Sequence, residues 1–204
     1  MYKKPVIVFE GIEGTGKTFH INNVTKYLQK KKIDYIKIRE PGGNINSEKI
    51  RKLILNNKSN FNENTDLLLY LAARSENIYQ LKRYYNKKII LIDRFVDSTI
   101  AYQHYGLGVN LSLILKINEY LLKNFKVDFT FLNTVNEKNM LSRLSKRKKL
   151  NRYDKFKKDF YKKVQKGFLK IANKKIRKYE VINSNLDINT NKKIVINKIE
   201  KLIK

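Results

Sequence analysis

The 204-residue chain contains no cysteine, which excludes disulfide bonds, thiolate metal sites and a cysteine nucleophile. Its two histidines, His20 and His104, cannot form a zinc site alone. No apolar run approaches the roughly 20 residues that a membrane-spanning helix needs, and residues 1–10 lack the long apolar region of a signal peptide. We therefore expect a cytoplasmic protein without a membrane partner, folded as one α/β domain over residues 1–204.

Acidic residues are scarce, since 18 Asp and Glu stand against 45 Lys and Arg, for a formal net charge of +27. Such a charge can indicate a nucleic-acid partner, because lysines that neutralise phosphates release counterions. Compositional bias is the alternative, since lysines are spread along the chain in pairs such as Lys157-Lys158 and Lys192-Lys193. We expect no specific nucleic-acid partner, and we expect the charge to attract anionic nucleotides at low salt.

Short apolar runs alternate with longer amphipathic segments along the chain. The apolar runs predict five strands, at 5–10, 33–39, 88–93, 128–132 and 179–183. The amphipathic segments predict helices at about 17–31, 45–57, 63–86, 110–124, 136–147, 154–176 and 190–203. Strands separated by helices indicate a five-stranded parallel sheet with helices on both faces, whose ligands bind at the carboxyl ends of the strands.

The first predicted strand runs into a loop that matches the phosphate-loop pattern G-x-x-x-x-G-K-T. The loop consists of Gly11, Ile12, Glu13, Gly14, Thr15, Gly16, Lys17 and Thr18. Backbone N–H groups of such a loop bind phosphate oxygens beside a helix N-terminus, the lysine reaches the β- and γ-phosphates, and the threonine hydroxyl helps to hold Mg²⁺. A chance glycine turn is the alternative, but the strand–loop–helix setting favours a nucleoside triphosphate site.

Charged residues follow the second and third predicted strands. Residues 39–43 form an Arg-Glu-Pro-Gly-Gly turn that lets the backbone approach a ligand, and Arg39 and Arg51 suit forked contacts to a phosphate. Asp93 ends the third strand, where phosphate-loop enzymes place a ligand of Mg²⁺ or water, and Arg94 could bridge donor and acceptor phosphates. The alternatives are surface arginines on an ordinary loop and a strand-end ion pair.

Two further segments carry groups suited to a sugar or a base. Residues 98–103 include hydroxyl, amide and phenol groups. On the helix predicted at 63–86, Tyr70 and Arg74 lie four residues apart and share a face, so a ring could stack on a base while the guanidinium hydrogen-bonds to it. Core packing is the alternative for both Tyr70 and Tyr102.

A basic cluster lies between the fourth predicted strand and the helix at 154–176. Its members are Arg143, Lys146, Arg147, Lys148, Lys149 and Arg152. The cluster is either a solvated helix end or a short mobile lid, at about residues 143–154, that supplies arginines to the transferring phosphoryl group.

Taken together, these segments resemble thymidylate kinase, the bacterial dTMP kinase family of nucleoside monophosphate kinases. The resemblance extends over nearly the whole chain, in order, at residues 9–18, 39–43, 72–74, 93–94 and 98–103. It implies the P-loop NTPase fold and the reaction ATP + dTMP → ADP + dTDP with Mg²⁺, in dTTP biosynthesis. It also implies a homodimer, formed through helices near 45–84 and 110–124.

The resemblance further implies roles for single residues. Residues 11–18 would bind ATP, and Thr18 and Asp93 would hold Mg²⁺. Gly14 stands where some members carry a catalytic arginine, which makes the lid the expected donor, with Arg147 first. The implied catalytic residues are Lys17, Arg94, Arg147, Arg143 and Arg152. The residues implied for dTMP are Glu13, Arg39, Pro41, Arg51, Tyr70, Arg74, Arg94, Ser98, Thr99, Tyr102 and Gln103.

Some of these roles are specific to one part of dTMP. The resemblance implies that Glu13 lies near the 3′-hydroxyl, that Tyr102 packs under the deoxyribose, and that Arg74 binds a thymine carbonyl. Tyr70 occupies the position of the aromatic ring stacked on thymine, which is commonly phenylalanine. Asn151 stands where aspartate is common, so we expect a weaker ion pair within the lid.

Three other functions remain open from the sequence. A kinase for another nucleotide would share the phosphate loop but not Arg74 together with residues 98–103. A GTPase switch carries an Asn/Thr-Lys-x-Asp motif, and no Asn-Lys pair of this chain has Asp two residues after the lysine. A nucleic-acid-binding ATPase would hydrolyse nucleotide under stimulation by DNA or RNA.

Overall fold

The computed structural model describes residues 2–147 and 149–204. Five strands form one sheet in the order β2-β3-β1-β4-β5, and every neighbouring pair is parallel. The strands are β1 (Val6–Glu10), β2 (Tyr35–Arg39), β3 (Ile89–Asp93), β4 (Phe129–Thr134) and β5 (Tyr179–Asn183). The parallel sheet and its five strands confirm the predicted α/β fold.

Helices connect the strands within the described residues. The α-helices are α1 (Lys17–Lys30), α2 (Ile45–Leu55), α3 (Glu63–Leu81), α4 (Val96–Thr99), α5 (Leu111–Leu122), α6 (Glu137–Ser145), α7 (Lys158–Asn173) and α8 (Ile188–Ile203). A π-helix continues α4 over Ile100–Gly106, and 3₁₀ helices occupy Arg152–Lys155 and Ile176–Lys178. None of these helices combines the length and apolar character needed to cross a membrane.

Two helical predictions need correction, and one helical segment was missed. The helix predicted at 63–86 ends at Leu81, and the turn that follows includes Asn86 in the left-handed region, with φ 62°. The helix predicted at 154–176 begins only at Lys158, because Phe156 and Lys157 are extended and separate it from the 3₁₀ turn. The helical segment at 96–106 was not predicted.

Both faces of the sheet are buried by helices, and alternate residues of the central strand β1 point to opposite sides. Ile7 and Phe9 pack with residues of α1 and α8, and the Phe9 ring stacks on Phe131 at 5.1 Å between centroids. Val6 and Val8 pack on the other side, in a cluster that includes residues of α3. This double burial explains why the strands read as continuous apolar runs.

The strand order places the functional segments side by side. β3 lies between β1 and β2, with Phe9 and Arg39 both in register with Asp93. The backbone N–H of Arg94 donates to Phe9 O at 3.0 Å, and that of Glu40 donates to Asp93 O at 2.8 Å. The phosphate loop, the segment after β3 and the Arg-Glu-Pro-Gly-Gly turn therefore meet at the carboxyl ends of three adjacent strands.

Candidate active site

The phosphate loop takes its shape from glycines in left-handed conformations. Gly11, Gly14 and Gly16 have φ of 135°, 72° and 79°. A Cβ on Gly11 would lie 2.2 Å from the carbonyl oxygen of Asn133, so this position also excludes a side chain by contact. The loop then leads into α1, whose first N–H groups have no partner within the helix and can bind an anion.

Side chains around the loop bind its carbonyl groups. Arg94 Nη1 donates to Gly11 O at 2.9 Å, Arg143 Nη1 donates to Gly14 O at 2.8 Å, and Ser184 Oγ donates to Thr15 O at 2.7 Å. Lys17 Nζ donates to Gly11 O at 2.7 Å and to Ile12 O at 2.9 Å. Carbonyl groups fixed in this way leave the N–H groups of the loop as its anion-binding face.

Lys17 is buried beside the charged side chain of Arg94. Burial, and after it the charge of Arg94, lowers the pKa of Lys17 to about 7, although Asp93 and Glu13 act in the opposite direction. An anionic phosphate beside the ammonium group would raise this pKa again, because an opposite charge favours the ionised form. Lys17 is therefore poised to gain positive charge when a nucleotide binds.

Arg94 connects the loop to the segment that follows β3. Its backbone lies in the left-handed region, with φ 67°, which turns the side chain toward the loop. Arg94 Nη2 pairs with Glu13 Oε1 at 2.9 Å, and the guanidinium lies 5.3 Å from the centre of the Tyr102 ring. The Tyr102 hydroxyl donates to the other oxygen of Glu13. Burial disfavours the charge on Arg94, but Tyr102, Glu13 and Asp93 raise its pKa above the usual value.

Glu10 fixes the turn around Arg94 and was not predicted as a site residue. It is fully buried at the end of β1, and Oε1 accepts from the backbone N–H groups of Phe95 at 2.7 Å and Ser98 at 3.2 Å. Ser98 Oγ donates to Oε2 at 2.5 Å. Burial, together with the nearby charge of Asp97, raises the pKa of Glu10 to about 7. An acidic residue ending an otherwise apolar strand was the available signal.

Arg74 lines a cavity beside the phosphate loop and is only 2% exposed. Nε donates to Glu40 Oε2 at 2.8 Å, Nη1 to Asn118 Oδ1 at 2.7 Å, and Nη2 to Thr99 Oγ1 at 3.0 Å. The guanidinium carbon lies 5.0 Å from the centre of the Phe95 ring. The orientation of Arg74 is therefore set by residues from three segments, namely the turn after β2, the segment after β3, and α5.

The residues predicted for dTMP lie together. All eleven line one cavity of about 250 Å³, which also includes Lys17, Thr18, Asp93 and Arg147. The remaining lining residues are Glu40, Leu55, Phe95, Asn151 and Tyr153, and sequence reasoning assigned none of them a ligand. A larger cavity, of about 770 Å³, lies between the ends of α5 and α7 and contains no phosphate-loop residue.

Two arginines that line the cavity make contacts with α2 and with the turn after β2. Arg39 Nη2 pairs with Glu48 at 3.1 Å, and Arg51 Nη1 donates to Pro41 O at 2.6 Å. The Glu40–Pro41 peptide bond is cis. Burial, and after it the charge of Arg39, lowers the pKa of Arg51. The two cations thus lie near one another in the lining of the cavity, where an anion can bind both.

The three arginines of the predicted basic cluster lie in three different places. Arg147 lines the cavity and pairs with Asp154 at 2.6 Å. Arg143 contacts the phosphate loop from outside, through Gly14 O, and donates to Ser184 O at 2.9 Å. Arg152 does not line the cavity, since its guanidinium pairs with Asp66. Lys148, predicted in the same cluster, lies outside the described residues.

Asn151 caps the 3₁₀ turn at Arg152–Lys155. Asn151 Oδ1 accepts from the backbone N–H of Asp154 at 3.4 Å, while Asp154 Oδ2 accepts from the N–H of Asn151 at 3.0 Å. These reciprocal bonds form a capping box on the 3₁₀ turn. In the same segment, Arg147 pairs with Asp154.

The geometry around Asp93 fits a divalent cation. Asp93 and Thr18 line the same cavity, and the buried Asp93 Oδ1 has no hydrogen-bond partner among the described residues. Carboxylate and hydroxyl oxygens suit Mg²⁺, which usually takes its other ligands from phosphates and water. The described residues contain no group of three or more His, Cys, Asp and Glu that could hold a metal. A cation bound at Asp93 and Thr18 would therefore take its remaining ligands from phosphates and water.

Comparison with known proteins gives a consistent result. A family model described as thymidylate kinase matches residues 9–195. The chain is 37% identical over 191 residues to a thymidylate kinase of Clostridium novyi (strain NT), covering 91% of this chain and 93% of the relative. It is 34% identical over 206 residues to one of Mycoplasma mobile (strain ATCC 43663 / 163K / NCTC 11711), covering 97% and 99%.

A solved structure agrees with these sequence relatives. The crystal structure of thymidylate kinase from Ehrlichia chaffeensis superposes with a TM-score of 0.78 at 31% identity, covering 97% of this chain and 98% of that one. Fold, phosphate loop and acceptor-side motifs therefore agree with one assignment. This chain belongs to the thymidylate kinase family, the nucleoside monophosphate kinases that phosphorylate dTMP to dTDP.

Proposed function

We propose that the cavity of about 250 Å³ beside the phosphate loop binds dTMP and that the γ-phosphoryl group of ATP is transferred to it there. The observation that carries the proposal is that all eleven residues implied for dTMP line this one cavity, although they come from separate segments between Glu13 and Gln103. The phosphate loop borders the same cavity through Lys17 and Thr18. Donor and acceptor phosphates would thus meet at Arg94.

On the donor side, the N–H groups of residues 11–18 bind the phosphates of ATP and Lys17 neutralises the β- and γ-oxygens. Thr18 and Asp93 would hold Mg²⁺, which neutralises charge on the donor phosphates when bound. Arg94 contacts both the loop and the acceptor side, so it is placed to stabilise charge as the phosphoryl group moves. Catalysis then consists of positioning and charge stabilisation, without a covalent intermediate.

On the acceptor side, Arg39, Arg51 and Arg94 provide the positive charge for the dTMP phosphate. Arg74 has five N–H groups, and its contacts with Glu40, Asn118 and Thr99 leave one Nη1 hydrogen free to donate to a thymine carbonyl. The pair formed by Glu13 and Tyr102 faces the sugar. Tyr70, Ser98, Pro41 and Gln103 complete the walls around the base and the phosphate.

Among the lid arginines, Arg147 is the one placed to neutralise the transferring phosphoryl group, since it lines the cavity. Its side chain is 39% exposed while that of its partner Asp154 is 1% exposed, so the guanidinium projects from a buried anchor. Arg143 stabilises the shape of the loop at Gly14, where some family members carry an arginine instead. We assign catalysis to Arg147 first and to Arg143 and Arg152 only indirectly.

A homodimer formed through α2, α3 and α5 is also proposed. Large apolar side chains are exposed on these three helices, namely Leu53, Leu68, Tyr79, Leu113, Leu115 and Tyr120. Exposed apolar surface on neighbouring helices can mark an interface. Light scattering should give the mass of two chains, and Leu68→Glu should shift it toward one. We further propose a cytoplasmic location, where ATP and dTMP are available.

The test of the proposed function is a coupled assay of ADP release with Mg-ATP across a panel of nucleoside monophosphates. We expect dTMP to be phosphorylated well, dUMP more weakly and ribonucleotides poorly, because Tyr102 packs where a 2′-hydroxyl would lie. Lys17→Ala should lower turnover by orders of magnitude, whereas Lys26→Ala, an exposed lysine of α1, should not. Equal rates across the panel would contradict the proposed specificity.

A further inference from the structure

Asp66 is a buried carboxylate that neither the cavity nor its own helix uses. It lies in the first turn of α3 and is 4% exposed, but the cap of this helix is Asn62, whose side chain accepts from Thr65 N. Both carboxylate oxygens of Asp66 face the lid instead. Oδ1 pairs with Arg152 Nη2, and Oδ2 accepts from the Tyr153 hydroxyl at 3.1 Å. A buried carboxylate held this way requires its partners.

Arg152 adds further contacts between the lid and the neighbouring helices. Its Nε donates to Ile54 O near the end of α2, and the guanidinium lies 5.6 Å from the centre of the Phe61 ring. Asn57 Nδ2 donates to Leu150 O at 2.9 Å, which joins the same two parts of the chain. Residues 150–153 of the lid thus contact the end of α2 and the first turn of α3, around Asp66.

The attached turn also determines where Arg147 lies. Arg152, Tyr153 and Asp154 belong to a single 3₁₀ turn, and Asp154 binds Arg147 through Oδ1 at 2.6 Å. The other oxygen of Asp154 accepts from the N–H of Asn151 and from its Nδ2, at 3.0 and 2.6 Å. Asp154 therefore moves with the turn, and the Arg147 guanidinium moves with Asp154.

The same turn reaches the part of the cavity assigned to the base. The Tyr153 ring lines the cavity and packs edge-on against Tyr70 at 6.0 Å and against Tyr102 at 6.1 Å. Its hydroxyl, bound to Asp66, also accepts from Gln103 Nε2 at 3.4 Å. One residue of the lid thus contacts three residues implied for dTMP.

We propose that Asp66 is a positioning residue: by binding Arg152 and Tyr153 it docks the lid on α3, and through Asp154 it places Arg147 at the cavity. Tyr153 is in consequence a lid residue that shapes the base pocket. Arg152, implied by resemblance to be catalytic, acts through this docking and not on the phosphoryl group. The inference rests on the proposed role of Arg147.

A double-mutant cycle tests the placement of Arg147. Asp66→Asn should lower kcat for dTMP roughly tenfold, as expected for a residue that acts through a network. In the Arg147→Ala background the same substitution should change kcat less than about twofold, because the displaced group is already absent. Equal losses in both backgrounds would overturn the placement. Glu63→Gln, an exposed carboxylate in the same first turn of α3, is the control and should leave kcat unchanged.

Hydrogen exchange of the segment 149–157 tests the docking without reference to catalysis. Asp66→Asn should increase exchange of this segment in the full-length protein, and unchanged exchange would overturn the docking. If Asp66→Asn fails to fold, Tyr153→Phe can replace it, because it removes only the hydrogen bond from the Tyr153 hydroxyl to Asp66. Tyr153→Phe should increase exchange of segment 149–157 by a smaller amount. If Arg147→Ala left kcat unchanged, the proposed role of Arg147 and its placement by Asp66 would both be contradicted. The hydrogen-exchange result would still test separately whether Asp66 docks the lid on α3.

Discussion

The phosphate loop occupies eight consecutive residues, 11–18, and takes its shape from the backbone, whereas the cavity beside it is lined by side chains from segments as far apart as Glu13 and Tyr153. In the loop, positive φ angles and bound carbonyl groups fix the anion-binding face. In the cavity, ion pairs fix the binding groups, with Glu40 on Arg74 buried and Glu13 on Arg94 half-buried. The two regions should therefore fail in different ways.

A loop that binds phosphate through its backbone should lose binding when its conformation changes, and few substitutions of exposed side chains should affect it. A cavity built from paired charges fails when one partner is lost, because the other charge is then left buried and unpaired. Arg94 belongs to both regions, since it binds Gly11 O and Glu13. The predictions below separate these modes of failure, from the largest expected effect to the smallest.

Removing Arg94 should affect both regions at once. Arg94→Ala deletes a carbonyl contact of the loop and a cation of the acceptor side, so we expect kcat to fall by about 10³-fold, the lower range for an arginine that stabilises a transferring phosphoryl group. Steady-state kinetics measure this, with circular dichroism to show that the fold persists. Arg177→Ala, at an exposed arginine after α7, should retain full activity. A near-native rate for Arg94→Ala would remove its assigned role.

A change of backbone conformation should damage the loop alone. In Gly11→Ala the new Cβ would lie 2.2 Å from Asn133 O at φ 135°, so we expect a loss of about 3 kcal/mol in unfolding free energy and a large rise in KM for ATP. Urea unfolding and initial rates measure the two effects.

The matched control for the loop is Gly108→Ala. This glycine also has a positive φ, of 83°, but no atom lies within 4 Å of the added Cβ. We expect a cost of about 1 kcal/mol from the left-handed conformation and no change in KM for ATP. If both substitutions behaved alike, backbone strain alone would explain the result and the close approach to Asn133 would not matter.

Loss of one partner of a buried pair should damage the cavity. Burial raises the pKa of Glu40, and Arg74 opposes that effect, so each group depends on the other. Glu40→Ala should lower the unfolding free energy by about 3–5 kcal/mol and raise KM for dTMP more than KM for ATP. Glu48→Ala breaks the exposed pair with Arg39 and should cost at most about 1 kcal/mol. Equal costs would contradict the contrast between buried and exposed pairs.

The smallest effect is a pH dependence of stability that comes from Glu10. Its pKa is raised from 4.5 to about 7 in the folded chain, so between these pH values the native state binds the proton and the unfolded state does not. Stability should then fall as the pH rises through this window. Glu10→Gln should weaken that decline, measured as the difference in Tm between the two proteins from pH 4.5 to 7. Parallel Tm curves would contradict the raised pKa.

The contrast between the two regions also explains what the sequence could predict. The loop and the strands depend on short segments, so the spacing of glycines and the apolar runs identified them. The eleven dTMP residues were implied by resemblance, and their common cavity follows from the strand order, which brings β2, β3 and β1 together. Their roles in binding stay predictions.

The residues that the sequence did not reveal all act over long separations. Glu10 binds a turn 85 residues away, and Asp66 binds Tyr153 at a separation of 87 residues. The three lid arginines formed one basic cluster in the sequence but have different partners, at Asp154, Gly14 and Asp66, none of which the local pattern specifies. The contacts with Gly14 and Asp66 span 129 and 86 residues and depend on tertiary packing, which a local pattern cannot encode, whereas Arg147 and Asp154 lie only seven residues apart.

A crystal structure of this protein with dTMP bound tests the central claim most directly. We predict that dTMP occupies the cavity of about 250 Å³ beside the phosphate loop. A thymine carbonyl should accept from Arg74, the base should lie beside Tyr70, and the phosphate should contact Arg94. The Tyr153 ring should border the base and the Asp66–Arg152 pair should persist. A dTMP molecule bound elsewhere, or bound in this cavity with its phosphate turned away from Arg94, would contradict the account.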